Sequence, residues 1–224
     1  TTPSAMKAAP RSALIESLDH EGRGVAHVNE KVIFIEGALP GERAELVSYH
    51  KKSRYEQAQA TAILKASSQR VTPRCPHFGV CGGCSMQHLA ISAQVAVKQR
   101  VLEDALWHLA RLRPDVLYAP ISGSEWGYRY RARLSIRLVH KKGGILVGFQ
   151  EKRSSFVATM DSCDVLPPEI SAVIPALKKL VAGMSTPDRL PQMPDCIVEL
   201  NGWEPLTYEE HSHASHFKDR ELAV

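Results

Sequence analysis

The stretch VAHVNEKVIFIEGALPGERAELVSYHKKSRYEQAQATAILKAS, residues 25–67, decides the fold of the first part of the chain. With Gly24 it breaks into four short runs rich in strand formers: Gly24–Val28, Lys31–Ile35, Arg43–Ser48 and Tyr55–Leu64. Turn signals separate them at Gly22-Arg23-Gly24, Asn29-Glu30 and Gly37-Ala38-Leu39-Pro40-Gly41. Several short strands within residues 11–66 predict a small β-barrel of the OB kind, because closing a small sheet removes its exposed edges.

Beyond this module the pattern changes. Residues 73–88 are too rich in Gly and Pro for a regular element. Ile91–Leu112 places Val95, Leu102, Leu106 and Leu109 near a 3.6-residue period and predicts a helix that Pro114 stops. Strand signals follow in Tyr128–His140 and Ile145–Glu151, with Lys141-Lys142-Gly143-Gly144 as the hairpin turn between them. Ser155–Met160 predicts a third strand, and Ile170–Gly183 a helix whose first turn Pro175 disturbs. From Ser185 onward Pro is frequent and the pattern weakens. The fold class read from this order is α+β: an OB-like β-barrel, then an antiparallel-sheet α+β domain.

Composition narrows the function. The 224 residues are 44% hydrophobic and 23% charged, enough to build a core and unlike a disordered chain. No apolar run approaches the ~18 residues of a membrane span, and the N-terminal TTPSAMKAAP lacks a secretory h-region, so the reading is a cytoplasmic protein without a membrane partner. The overall charge of +4 conceals an asymmetry: residues 1–66, 67–113 and 114–160 carry +1, +4 and +5, and residues 161–224 carry −6. A basic middle against an acidic tail is what a surface meeting a polyanion requires.

Three of the five cysteines fall within CPHFGVCGGC, residues 75–84, as Cys75, Cys81 and Cys84 in the spacing C-x5-C-x2-C. In a reducing compartment such crowding points to metal or catalysis rather than to disulfides. Thiolates must converge on a metal, and Gly79, Gly82 and Gly83 let the loop turn tightly and bring amide groups toward sulfur. The spacing leaves an iron–sulfur cluster, structural zinc and unliganded thiols all open. A fourth ligand has four candidates: Cys163, Cys196, His77 and His88. Cys163, in DSCDVL just past a strand, is the better choice; Cys196 opens an apolar run and reads as a buried structural thiol.

The second candidate surface is basic. Arg129, Arg131 and Arg133 alternate along the predicted strand and should share one face, with Tyr128 and Tyr130 on the other. Guanidinium groups about 7 Å apart can track successive phosphates. Arg137 extends the row, and Lys141, Lys142, Lys152 and Arg153 widen it. In the first module Lys51, Lys52, Arg54 and Tyr55 are a weaker nucleic-acid-contact candidate, because OB-like modules often bind nucleic acid through loops and one strand face. Phe149, Trp107, His108 and Trp126 are read as core, and His211, His213 and His216 as tail.

Taken in order, the small barrel, C-x5-C-x2-C, a helix, GYRYRARLSIR, LVGFQEKRSSFV and the late DSCDVL resemble the RNA uracil-C5 methyltransferases, in particular the bacterial branch acting on 23S ribosomal RNA. The resemblance covers roughly residues 11–200. It implies that residues 8–68 form a TRAM domain, 69–114 an iron–sulfur loop and helix, 115–200 a central RNA-binding domain and 201–224 a tail. It implies a [4Fe-4S] cluster on Cys75, Cys81, Cys84 and Cys163, an RNA partner (23S rRNA) and a monomer. S-adenosylmethionine is expected only for the full-length enzyme, since the family's Rossmann-like domain, its Ser-Cys-Asn-Pro nucleophile and its glutamate base have no counterpart in these residues. No catalytic residue is therefore assigned, and the chain is expected to be inactive alone. The alternative is a non-enzymatic RNA-binding module with a structural iron–sulfur or zinc site. A radical S-adenosylmethionine enzyme is disfavoured, because its C-x3-C-x2-C spacing differs.

Overall fold

The computed structural model describes residues 11–139, 144–184 and 196–201. The chain divides into two compact units. One comprises the chain up to Glu125 together with Phe149–Ala158; the other comprises Trp126–Gly148 and the chain from Thr159.

The first unit contains a six-stranded sheet built from β1 (Arg11–Leu14), β2 (Ser17–Leu18), β3 (Gly24–Val28), β4 (Lys31–Glu36), β5 (Arg43–Lys51) and β6 (Tyr55–Lys65). Its order is β1-β5-β6-β4-β3-β2. Its neighbouring strands pair antiparallel except β4 with β6, which run parallel with Val32 opposite Tyr55. The four strands read from the sequence are present within a few residues, whereas β1 and β2 add to them. Register shifts along β5 and β6, at Arg43/Ala44, Glu45/Leu46 and Ser48/His50, increase the local twist that curls such a sheet.

The period-2 pattern delivers the core. Ile33 and Ile35 of β4 and Ala44 and Leu46 of β5 are fully buried and meet Ala13, Ile15, Ala26, Ala38 and Ala58. Small residues let the backbones approach closely. Gly24 has no room for more: a Cβ there would lie 2.8 Å from Ile15 Cγ2.

Glu42 is buried with this core and fully satisfied. It accepts the amides of Leu39 at 2.8 Å and Ser67 at 3.0 Å, and pairs with Arg70 through Nε at 2.6 Å and Nη2 at 2.7 Å. Arg70 also donates to the Gly37 carbonyl at 2.7 Å, so this pair ties the segment leaving the sheet to the turn before β5. Burial alone would raise the Glu42 carboxyl; hydrogen bonds from Arg70, Ser67 and Leu39 outweigh it and hold the group below its ordinary value.

Helix α1 spans Ile91–His108, shorter than the predicted Ile91–Leu112, and buries none of its residues. Trp107, expected in the core, is 40% exposed, and His108 is exposed as well. The apolar stripe exists but is only partly covered: Val95 and Leu106 are half-buried, whereas Leu102 is exposed.

The second unit carries β7 (Arg131–Val139) and β8 (Gly144–Gln150), paired antiparallel with Val139 opposite Gly144. With β9 (Val157–Thr159) and β10 (Cys196–Asn201) the sheet order is β10-β7-β8-β9. The boundary between units falls within β8, after Gly148, and within β9, after Ala158. Strand β10 lies in the stretch whose sequence pattern is weak, yet it pairs with β7 from Cys196–Ile136 to Asn201–Arg131. Helix α2, Pro168–Met184, contains Pro175 and buries Ile174 completely. Pro168 suits a first helical position, where a missing N–H costs nothing. Neither described helix is long and apolar enough to cross a membrane.

Candidate metal centre and nucleic-acid surface

The thiol loop is built by turns. Phe78 N–H donates to the Cys75 carbonyl at 3.1 Å, and the His77 carbonyl accepts Val80 N–H at 3.2 Å and Cys81 N–H at 2.8 Å. Gly79 takes φ +90°, where a side chain would be strained. The Cys75 amide is held by Gln87 Oε1 at 3.1 Å. On its other side the loop meets the end of β8: Gly82 N–H donates to Gln150 O at 2.8 Å and Lys152 N–H to Val80 O at 2.7 Å. A Cβ at Gly82 would sit 2.9 Å from that Gln150 oxygen.

Cys81 is 8% exposed, and its sulfur accepts Gly83 N–H at 3.3 Å. An amide aimed at sulfur favours the thiolate, the form that ligates metal. None of Cys75, Cys81, Cys84 and Cys163 is in a disulfide. The donor chemistry thus fits a sulfur-held metal group. Among the described residues no three His, Cys, Asp or Glu side chains are grouped closely enough to hold an ion. Cys163 belongs to the second unit, in the turn before α2, where its N–H donates to Ser171 Oγ at 2.8 Å. The side chain of Cys196 and the histidines His211, His213 and His216 lie outside the described residues.

His88 was one of the zinc-type alternatives, and the structure gives it a distinct character. It is 2% exposed, its ring lies 5.2 Å from that of Phe78, and neither ring nitrogen has a hydrogen-bond partner. Burial first, then the positive charges of Arg70 and Lys152 against the opposing Glu42, push its pKa down to about 4. The ring is neutral at pH 7, with one N–H and one lone pair both unsatisfied. Such a group costs about 1–3 kcal/mol to bury.

The basic strand is partly as expected. Ala132, Leu134 and Ile136 of β7 are buried, while Arg131 and Arg133 are exposed and Ser135 and Arg137 half-buried on the alternate positions. Alternation starts only at Arg131. Tyr128, Arg129 and Tyr130 precede the strand, because Gly127 and Arg129 donate their amides to Asp164 and Val165 carbonyls. Arg129 is half-buried, its Nε donating to Arg131 O at 3.2 Å, while Tyr128 is exposed and Tyr130 half-buried. Lys141 and Lys142 lie outside the described residues. Phe149 is buried, as expected.

On the first unit Lys51, Lys52 and Arg54 are exposed at the β5–β6 turn. They join a set the sequence reading did not assemble. Lys52 Nζ lies 5.7 Å from the centre of the Tyr55 ring, Tyr55 meets Phe34 edge-on at 6.0 Å, and Arg23 covers Phe34 at 4.9 Å. Phe34 alternates outward between inward Ile33 and Ile35, and that alternation was the available signal.

Arg153 occupies a left-handed backbone position, φ +58°, and reaches the six-stranded sheet. It stacks 4.2 Å from the Tyr49 ring centre, donates to Gln59 Oε1 at 3.1 Å and pairs with Glu36 at 3.4 Å. Its neighbour Lys152 lies over the Phe78 ring at 5.4 Å.

A match to the TRAM domain family covers residues 11–46. The chain is 64% identical over 181 residues to the 23S rRNA (uracil(1939)-C(5))-methyltransferase RlmD of Aromatoleum aromaticum, covering 81% of this chain and 42% of that protein. It is 54% identical over 213 residues to the protein of the same name from Nitrosospira multiformis, covering 92% and 48%. Among solved structures, Pyrococcus abyssi tRNA (uracil-54, C5)-methyltransferase in complex with S-adenosyl-L-homocysteine shares the fold, with TM-score 0.55 and 21% identity over 85% of this chain and 42% of that one. The chain spans less than half the length of these relatives.

Proposed function

We propose that this chain, a relative of the RNA uracil-C5 methyltransferases over four-fifths or more of its length, is the N-terminal RNA-recognition and [4Fe-4S]-binding part of an S-adenosylmethionine-dependent 23S rRNA uracil-C5 methyltransferase. The observation that carries the reading is the identity of 64% with a protein of that named activity, over a span that contains the thiol loop and the arginine strand. The residues of this chain are assigned RNA binding and no catalytic role.

Each part has a defined task. The six-stranded sheet presents aromatic rings with cations beside them, at Arg23, Phe34, Tyr55 and Lys52, a combination suited to stacking unpaired bases while neutralising phosphate. Arg129, Arg131 and Arg133, with Lys141 and Lys142, add phosphate contacts, as do Lys51, Lys52 and Arg54. Cys75, Cys81 and Cys84 supply thiolates from the loop, and Cys163 is the fourth ligand on the strength of sequence. A cluster there would supply structural cross-linking rather than chemistry on the base.

Anaerobic reconstitution followed by iron, sulfide and zinc quantitation tests the centre; stoichiometric zinc without iron would replace the cluster with a zinc site. Binding of a 23S rRNA fragment tests recognition, and affinity no greater than for a scrambled RNA would favour a non-specific RNA-binding module.

A further inference from the structure

The outer face of the six-stranded sheet gathers aromatic rings around one amide. Glu56 and Ala58 of β6 are buried opposite Ile33 and Ile35, so Gln57 between them faces outward. Register fixes its neighbours on that face. Phe34 of β4 lies opposite it on one side and His50 of β5 on the other, and Tyr55 precedes it by two residues along β6. His50 reaches this face through the register shift between Ser48 and His50. Ser48 pairs with inward Ala58, and the extra residue, Tyr49, turns His50 to the side of Gln57. Ring centres are 6.0 Å apart for Phe34 and Tyr55 and 6.4 Å apart for His50 and Tyr55.

Gln57 differs from the next outward residue of its strand. Gln59 is committed: its Nε2 donates to the Glu36 carbonyl at 3.3 Å, and its Oε1 accepts from Arg153 at 3.1 Å. Among the described residues no hydrogen bond ties the half-buried Gln57 amide. Charge is divided along the same face. Lys31, Lys51, Lys52 and Arg54 gather at the Tyr55 end, where Val32 opposes Tyr55 and the β5–β6 turn closes. The Glu36 carboxylate lies at the other end, paired with Arg153, and the Glu56 carboxylate is turned inward to Arg11 and Ser48.

We propose that Gln57 reads the Watson–Crick edge of one unpaired RNA base that stacks on the Tyr55–His50 pair, with Lys51, Lys52 and Arg54 on the adjoining phosphates. This rests on the RNA-recognition reading and adds to it a selectivity for single strands. A primary amide carries a donor and an acceptor side by side. That pattern matches N3–H and O4 of uracil and, turned over, the edges of other bases. In a duplex the partner strand consumes this edge, so an amide set among rings separates an unpaired base from a paired one. The rings supply attraction that is tolerant of sequence, and the cations supply the phosphate contacts.

The test uses the whole chain with three probes: a uridine decamer, the same decamer built of N3-methyluridine, which stacks but offers no N3–H, and the uridine decamer annealed to its adenosine complement. Affinity, its salt dependence and the thermal midpoint are measured for wild type, Gln57→Leu and Tyr55→Ala. Wild type is expected to bind the uridine decamer about tenfold more tightly than the methylated one, the discrimination of one bidentate contact. Q57L keeps the side-chain bulk and removes the amide. It is expected to bind the two decamers equally, with the salt slope and thermal midpoint of wild type. Y55A is expected to weaken both decamers about tenfold. Neither substitution is expected to change duplex binding.

Equal wild-type affinity for the two decamers overturns the inference and leaves the RNA-recognition reading in place, as does a Q57L chain that still prefers the unmethylated decamer. A Q57L chain that loses duplex binding as much as decamer binding overturns it in favour of a structural role. A wild-type chain that binds none of the three probes overturns the RNA-recognition reading, and the inference with it.

Discussion

The Gly82 amide donates to the Gln150 carbonyl across 2.8 Å, and a Cβ on Gly82 would approach that same oxygen to 2.9 Å. The contact is backbone against backbone, so no flexible side chain can swing aside. Gly82→Ala is expected to force the loop from the end of β8 and to cost about 1–3 kcal/mol, as overpacking does. Urea unfolding of wild type and variant measures the difference. An unchanged midpoint would show that the loop yields freely.

The buried pair of Glu42 and Arg70 sets the acid limit of the first unit. Glu42→Gln leaves Arg70 facing a neutral partner and should lower stability at pH 7 by about 3 kcal/mol, the lower end for breaking a buried pair, because Arg70 keeps some solvent contact. The sign of the pH effect follows from a carboxyl whose folded pKa lies below its 4.5 reference. Its contribution is full above that reference and is lost as pH falls through the lowered folded value. Unfolding curves between about pH 3 and 7 should therefore be flatter for E42Q than for wild type. Parallel curves would remove Glu42 from the account.

Cys163→Ser is expected to lose iron on anaerobic reconstitution, whereas Cys196→Ser retains it. Both variants carry one fewer thiol, so the contrast separates a ligand from a bystander. The reverse pattern, read by iron and sulfide content, would transfer the fourth ligand to Cys196.

Alanine at Arg129, Arg131 and Arg133 together should weaken RNA binding and flatten its salt dependence. Each phosphate contact on a single strand contributes about 0.7 to the slope of log K against log[salt], so three contacts remove roughly 2. Titration of a 23S rRNA fragment at several salt concentrations reads the slope. An unchanged slope returns the strand to an ordinary solvated sheet face.

What the sequence revealed divides by the range of the forces involved. Strands β3 to β6 are legible because alternation and turn residues are local, and Ile33, Ile35, Ala44 and Leu46 point inward as their period requires. Strands β1 and β2, four and two residues long, are too short to show a period. Strand β10 follows a Pro-rich stretch and is recognisable through its partner β7 rather than through its own pattern. The helical period of α1 was correct, but periodicity reports a stripe and not what covers it, so Trp107 was misplaced in the core. Strand β7 starts at Arg131 rather than Tyr128, and the carbonyl of Val165, 36 residues away, accepts the Arg129 amide, a long-range contact that no local pattern reports. At the candidate site, the thiols and glycines could be read from spacing. The unsatisfied ring of His88 could not, because burial without a partner is a property of the assembled fold.

Lys152 and Arg153 are consecutive, yet they grip different things: Lys152 the thiol loop, through Phe78 and the Val80 carbonyl, and Arg153 the six-stranded sheet, through Glu36, Tyr49 and Gln59. The left-handed turn at Arg153 gives the two side chains their separate directions. Together they act as a rivet through two plates. A tilt of the loop is felt by the sheet that carries Phe34 and Tyr55, and a change on that sheet is felt by the loop.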